Sequence, residues 1–104
     1  MKTIGAHNYF VYITTNKNKT VLCTDVTNDL RARLLQHLEA SQHFPSSSFA
    51  ANYNAVFLIY YERFGEINDA IEREKEIKSW RRSKKEALIN SFNPEWRLLN
   101  DEIE

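Results

Sequence analysis

Arg33 and His37 stand four residues apart in TNDLRARLLQHLEAS (27–41), so on a helix they share a face. They fall at the border of the stripe formed by Leu30, Leu34 and Leu38, not on the far polar side. A guanidinium and an imidazole at a core edge need an anionic partner or open access to water. Such a pair serves either packing, through a structural ion pair, or an anion that must be held and a proton that must be moved.

Three further places carry chemistry. Glu74 projects into the same sector as the apolar Ile67, Ala70, Ile71 and Ile77 of a second helical segment. A carboxylate there must be paired, protonated or bound to a cation, because bare burial is costly. Lys78 and Arg81 are the salt-bridge partners within reach. Cys23 and Asp25, in TVLCTDVTND (20–29), are two apart in a strand pattern, which turns a thiol and a carboxylate toward one face. Finally, KSWRRSKK (78–85) carries five basic residues, Lys78, Arg81, Arg82, Lys84 and Lys85, and no acid. That run is either a solvated helix end or a phosphate-binding stripe.

The elements that must position these groups are legible from periodicity. NYFVYITT (8–15) and TVLCTDV (20–26) read as strands of a hairpin joined by the polar NKNK (16–19). AVFLIYYERF (55–64) is a third strand. The first helix spans 27–41, with Thr27 or Asn28 as N-cap and Leu30, Leu34, Leu35 and Leu38 at helical spacing. Segments 68–82 and 83–92 read as two more helices, the latter opened by a capping box of Ser83 and Glu86. Between the first helix and the third strand, 41–54 is a Ser- and Pro-containing loop whose Phe44, Phe49 and Tyr53 serve to anchor it or to stack on a ligand. NPEW (93–96) is a turn. The predicted fold is α+β: a small, mainly antiparallel three-stranded sheet flanked by helices, in one domain covering 1–104.

Bulk properties narrow the classes. An apolar fraction of 42% and a charged fraction of 27% are those of a globular protein. No apolar run approaches a membrane span, and there is no signal-peptide pattern, so a cytoplasmic protein without membrane partners is expected. A single cysteine makes no internal disulfide, and no Cys/His spacing suits zinc. The formal net charge of zero argues against nucleic-acid binding driven by bulk charge, leaving the local basic run to do it.

Taken together, the pieces resemble the GIY-YIG nuclease superfamily, in particular its small single-domain members, over nearly the whole chain from Asn8 to Trp96. FVYI (10–13) stands at that family's first motif, with Tyr12 as the motif tyrosine. Cys23-Thr24-Asp25 stands where the family has Tyr-x-Gly. VTNDLRARLLQH is similar to the family helix, placing its arginine at Arg33 and its histidine at His37. AIEREKEIKSWRRSKKEALI resembles the segment carrying the metal-binding glutamate, here Glu74, and FNPEW the closing motif, whose asparagine is Asn93. The resemblance implies hydrolysis of DNA phosphodiesters with one divalent metal, Mg²⁺ or Mn²⁺, held by Glu74. It implies that Arg33 meets the phosphate, that His37 takes or relays the proton of the attacking water, that Tyr12 positions or activates that water, and that Asn93 completes the site. Lys78, Arg81, Arg82, Lys84 and Lys85 would hold the backbone without reading sequence.

The departures lie at the second motif. Cysteine is shorter than tyrosine and a weak donor, and losing one transition-state donor costs ~10²–10³ in rate. Aspartate for glycine fills space and brings negative charge to where a phosphate arrives. Three readings follow: a nuclease weakened or silenced at Cys23 and Asp25 that keeps DNA binding; an active enzyme in which Asp25 joins Glu74 as a metal ligand; and a module for protein interaction that retains the fold alone.

Overall fold

The computed structural model of the chain describes residues 8–43 and 54–103. Its strands are β1 (Tyr9–Thr15), β2 (Leu22–Thr27) and β3 (Phe57–Phe64); its helices are α1 (Leu30–His43), α2 (Ile67–Lys78) and α3 (Arg82–Phe92), followed by a 3-10 turn at Asn100–Glu102. The sheet has the order β2-β1-β3 with both pairings antiparallel, which is the predicted α+β architecture. Phe44, Phe49 and Tyr53 lie outside the described residues.

β1 is central because it can be buried on both faces. Val11 and Ile13 point to one side, where Ala70 and Ile77 of α2 and Ile89 of α3 close over them. Tyr12 points to the other, against Leu30 and Leu34 of α1, with Leu58 and Leu99. The alternation therefore sorts the chemistry. Register places Asp25 directly across from Tyr12, and Cys23 across from Thr14, all on the α1 face. The hairpin that fixes this register is held at its turn by Asn16, whose Oδ1 accepts the backbone N–H of Thr20 at 2.8 Å and of Val21 at 3.1 Å.

β3 carries a bulge opposite Ile13/Thr14, where its register jumps from Tyr60 to Leu58 and leaves Ile59 over. The C-terminal segment covers this outer edge. The Leu99 N–H donates to Leu58 O at 2.7 Å, the Leu58 N–H to Asn100 Oδ1 at 2.8 Å, and Asn100 Nδ2 to Val56 O at 2.9 Å. An otherwise open strand edge is thus satisfied from within the chain.

Several local expectations are corrected. The cap of α1 is Asp29, whose Oδ1 accepts the Ala32 N–H at 3.1 Å, while Thr27 Oγ1 accepts the Asp29 N–H one step upstream. Leu35 and Leu38, expected in the apolar stripe of α1, are 55% and 41% exposed, while Leu30 and Leu34 are buried against the sheet. Ile67, expected in the apolar stripe of α2, is exposed at that helix's first position. The capping box of Ser83 and Glu86 does not form. α3 begins one residue earlier, with Arg81 at the N-cap position and no side-chain cap, and Glu86 pairs with Arg82 at 2.7 Å instead.

Candidate active site

Five of the singled-out side chains meet on the α1 face of the sheet. Tyr12 supplies the floor: it is fully buried, and its hydroxyl makes no hydrogen bond of normal geometry although the Arg33 guanidinium stands near enough to draw its pKa down. Burial outweighs that influence, and with Asp25 and Cys23 adding to it the phenol is held well above the ordinary tyrosine range. Tyr12 is therefore a proton donor at neutral pH, not a phenolate.

His37 comes from the next turn of α1 beyond Arg33, its ring centroid 6.3 Å from that of Tyr12. Burial lowers its pKa, Arg33 lowers it further, and Asp25 opposes both. The imidazole is neutral at pH 7, and its buried Nδ1 has no hydrogen-bond partner. Thr14 Oγ1, on the same face as Tyr12, is a third buried polar atom without a partner. Native interiors rarely leave such atoms unpaired; Thr24 Oγ1, across from Ile13 on the other face, is a fourth, and the three on the α1 face mark a place that water or ligand atoms satisfy.

Arg33 is not free. Its Nη1 donates to Asp25 Oδ2 at 3.2 Å, and Asp25 Oδ1 accepts the Val26 N–H at 2.8 Å, so the carboxylate is fixed at both oxygens. Cys23 is half-buried beside it, and burial, with Asp25 adding, pushes its thiol up to about 11 against the pull of Lys78 and Lys85. A neutral thiol is neither a nucleophile nor a good donor.

Glu74 is placed differently. It sits on α2 between Ala70 and Ile77, buried and paired to Lys78 Nζ at 2.5 Å. Lys78, its partner, acts with Lys85 on Cys23. Asp25 and Glu74 each have their own cation, Arg33 and Lys78, and among the described residues no group of three or more His, Cys, Asp or Glu side chains is placed to hold a metal. A lone carboxylate still suits Mg²⁺ or Mn²⁺, which keep most of their waters and take a phosphate oxygen. The Lys78 ammonium already stands where a cation would, on a half-exposed stem able to leave.

Asn93 has a structural occupation. Its Nδ2 donates to Ile59 O at 3.1 Å and to Arg97 O at 2.8 Å, and its Oδ1 accepts the Arg97 N–H at 3.0 Å. It thereby ties the closing turn to the bulge carbonyl of β3. The basic run is likewise dispersed. Arg82 grips the hairpin turn, donating to Thr20 O at 2.7 Å and to Lys19 O at 3.0 Å. Lys84 lies over the Trp80 ring at 4.4 Å, Arg81 is exposed, and Lys85 is half-buried. Sequence reasoning missed Arg73, which binds Glu62 at 2.9 Å and Glu76 at 2.8 Å and locks α2 to β3. Only its i,i+3 spacing to Glu76 was visible as a signal.

A hairpin, a helix presenting Arg33 and His37, and a later helix presenting Glu74 define a nuclease-like class of domain. The family model described as the GIY-YIG catalytic domain matches residues 8–87, and the chain belongs to that family. It is similar to a UPF0213 protein of Natronomonas pharaonis, 32% identical over 84 residues covering 81% of this chain and 93% of that protein. A UPF0213 protein of Bacillus pumilus is 28% identical over 89 residues, covering 86% of each. The solution NMR structure of a UPF0213 protein of Bacillus halodurans superposes with a TM-score of 0.53 at 24% identity, covering 86% of this chain and 89% of that one, a likeness of fold. Among the described residues no helix is long and apolar enough to cross a membrane.

Proposed function

We propose that the chain is a GIY-YIG-type, divalent-metal-dependent phosphodiesterase acting on DNA, with cleavage slowed by the changes at Cys23 and Asp25. What supports this reading above all is the trio of unpartnered buried atoms on the α1 face, Tyr12 Oη, His37 Nδ1 and Thr14 Oγ1, beside the Arg33 guanidinium.

The roles follow from protonation. His37, neutral at pH 7, accepts the proton of an attacking water. Tyr12, protonated, donates to that water or to a phosphoryl oxygen and orients it. Arg33 meets the charge that builds on the phosphoryl oxygens. Glu74 would hold the metal after exchange with Lys78, and the ion when bound supplies Lewis-acid charge to the phosphate. Asn93 acts by fixing the fold beneath the site. Lys85 and Arg81, with Lys84 over Trp80, give a modest and sequence-independent hold on the backbone.

The test is a plasmid-nicking assay with Mg²⁺ and with Mn²⁺, comparing wild type, Cys23→Tyr/Asp25→Gly, and Glu74→Ala in that double background. Slow or absent nicking by the wild type, a gain of at least ~10² in the double variant, and loss on Glu74→Ala are expected. A double variant that binds DNA and metal yet stays inert would refute the reading. The alternative is a catalytically inactive nucleic-acid-binding or protein-interaction module on the same fold, and the Asp25–Arg33 pair, which fills the guanidinium a reacting phosphate would need, is the observation favouring loss of cleavage.

A further inference from the structure

The α1 face contains an anion of its own. Asp25 stands directly across β1 from Tyr12, its Oδ2 on Arg33 Nη1 at 3.2 Å and its Oδ1 on the Val26 N–H at 2.8 Å. Arg33 is the one guanidinium among the described residues that acts on both Tyr12 and His37. We infer that Asp25 is an internal stand-in for a phosphate: it occupies the fork of Arg33, so a phosphodiester enters only by exchanging with it. The inference rests on the phosphodiester reading above and deepens it, making residue 25 the position that sets how strongly the site takes an anion.

Two features make this more than a surface ion pair. First, Asp25 is positioned by the strand itself. Register fixes its Cβ on the Tyr12 face, and the backbone N–H of Val26 orients the carboxylate, so the anion is pre-placed with little rotamer freedom. Second, the pair is half-exposed, at 34% and 42% for the two side chains, which leaves the guanidinium open to an exchanging phosphate. A buried pair would not exchange, and a fully solvated one would not compete. Asp25 is a positioning residue here. It acts through Arg33, whose fork it fills until a phosphate displaces it.

The effect is measurable in binding alone. A charged, hydrogen-bonded pair of this kind holds its guanidinium by about tenfold, which is the affinity a phosphate forfeits in displacing it. A freed Arg33 adds about one neutralised phosphate, which steepens the dependence of log Kobs on log salt by about 0.9. The experiment is fluorescence anisotropy of a short labelled DNA duplex, with a chelator present so that nothing is cut, over a salt series starting at about 0.05 M. Asp25→Asn keeps the Oδ1 acceptor for Val26, and Asp25→Ser keeps a short one, so the fold has two routes to survive. Circular dichroism checks it in each variant.

Both variants should bind about tenfold tighter than wild type with the steeper slope. Arg33→Gln should bind more weakly, and Arg33→Gln/Asp25→Asn should gain nothing further, because Asp25 acts through Arg33. Glu72→Gln, removing an exposed charge elsewhere on α2, should leave affinity within about twofold. Unchanged binding on Asp25→Asn with weakened binding on Arg33→Gln overturns the stand-in while leaving the phosphodiester reading intact. An equal gain from Asp25→Asn with or without Arg33 also overturns it, since that is bulk repulsion. No DNA binding by any of these proteins overturns both.

Discussion

Tyr12→Phe separates stability from function at a single atom. The ring is fully buried against Leu30, Leu34 and Leu58, and phenylalanine keeps that packing while deleting an oxygen whose one polar neighbour, the Arg33 guanidinium, does not meet it in normal hydrogen-bond geometry. A buried polar group left unsatisfied costs about 1–3 kcal/mol. Arg33 beside the hydroxyl recovers part of this, so the variant should be more stable by about 1 kcal/mol. In a 104-residue domain that gain is about 4–8 °C in Tm, read by urea and thermal unfolding followed by circular dichroism. The same substitution in the Cys23→Tyr/Asp25→Gly background should lower nicking by ~10²–10³, the loss expected for one missing donor. More stability with less cleavage is the signature of a hydroxyl kept for a ligand. A loss of 1 kcal/mol or more would show that the folded chain satisfies this oxygen by itself, and the argument from unpaired atoms would fall.

Two further outcomes test the surroundings of the site. Asn93→Ala removes three hydrogen bonds and strands the Ile59 carbonyl at the bulge, so stability should fall by ~2–3 kcal/mol in urea unfolding; Asn93→Asp, which keeps the Oδ1 acceptor but loses the amide donor, should recover only part of it. His37 has a lowered pKa when folded, so the unfolded chain binds more protons once pH drops below ~6.5; stability should decline from there downward until the folded imidazole also titrates. In His37→Gln this part of the acid slope should vanish, a difference read from unfolding midpoints between pH 7 and pH 4. An unchanged slope would mean that the imidazole is solvated and unperturbed.

How far the sequence alone reaches depends on the range of the interaction that decides each feature. β1 and β2 were legible because period-2 alternation and an Asn-led turn act locally, and they carried the correct prediction that Cys23 and Asp25 share a face. Arg33 and His37 were legible by the same token, one helical turn apart. Glu74 and its Lys78 partner followed from i,i+4 spacing. The start of α3 was misread because Ser83 and Glu86 match a capping box, while Arg82 binds two carbonyls of the hairpin turn more than sixty residues earlier and claims Glu86 as well. The role of Asn93 was equally hidden, since the carbonyl it satisfies exists only after β3 has bulged at Ile59. Leu35 and Leu38 looked like core by spacing; how α1 is seated on the sheet, with Leu30 and Leu34 inward, is a tertiary matter that spacing does not carry.

The two departures at the second motif are not equivalent, and electrostatics ranks them. Cys23 subtracts a donor: its thiol is neutral, and its influence on Tyr12 is the last in order behind burial, Asp25 and Arg33. Asp25 acts on every other member of the face. It occupies Arg33, raises the Tyr12 phenol further, raises the Cys23 thiol, and opposes the lowering of His37. Asp25→Gly alone should therefore recover phosphate binding and part of the catalytic poise, and Cys23→Tyr alone should recover neither. A tyrosine hydroxyl returned to position 23 would meet a phosphate site still filled by the carboxylate two residues on. On the proposed reading it is the aspartate at position 25, more than the missing phenol, that keeps the Arg33 guanidinium from an incoming anion.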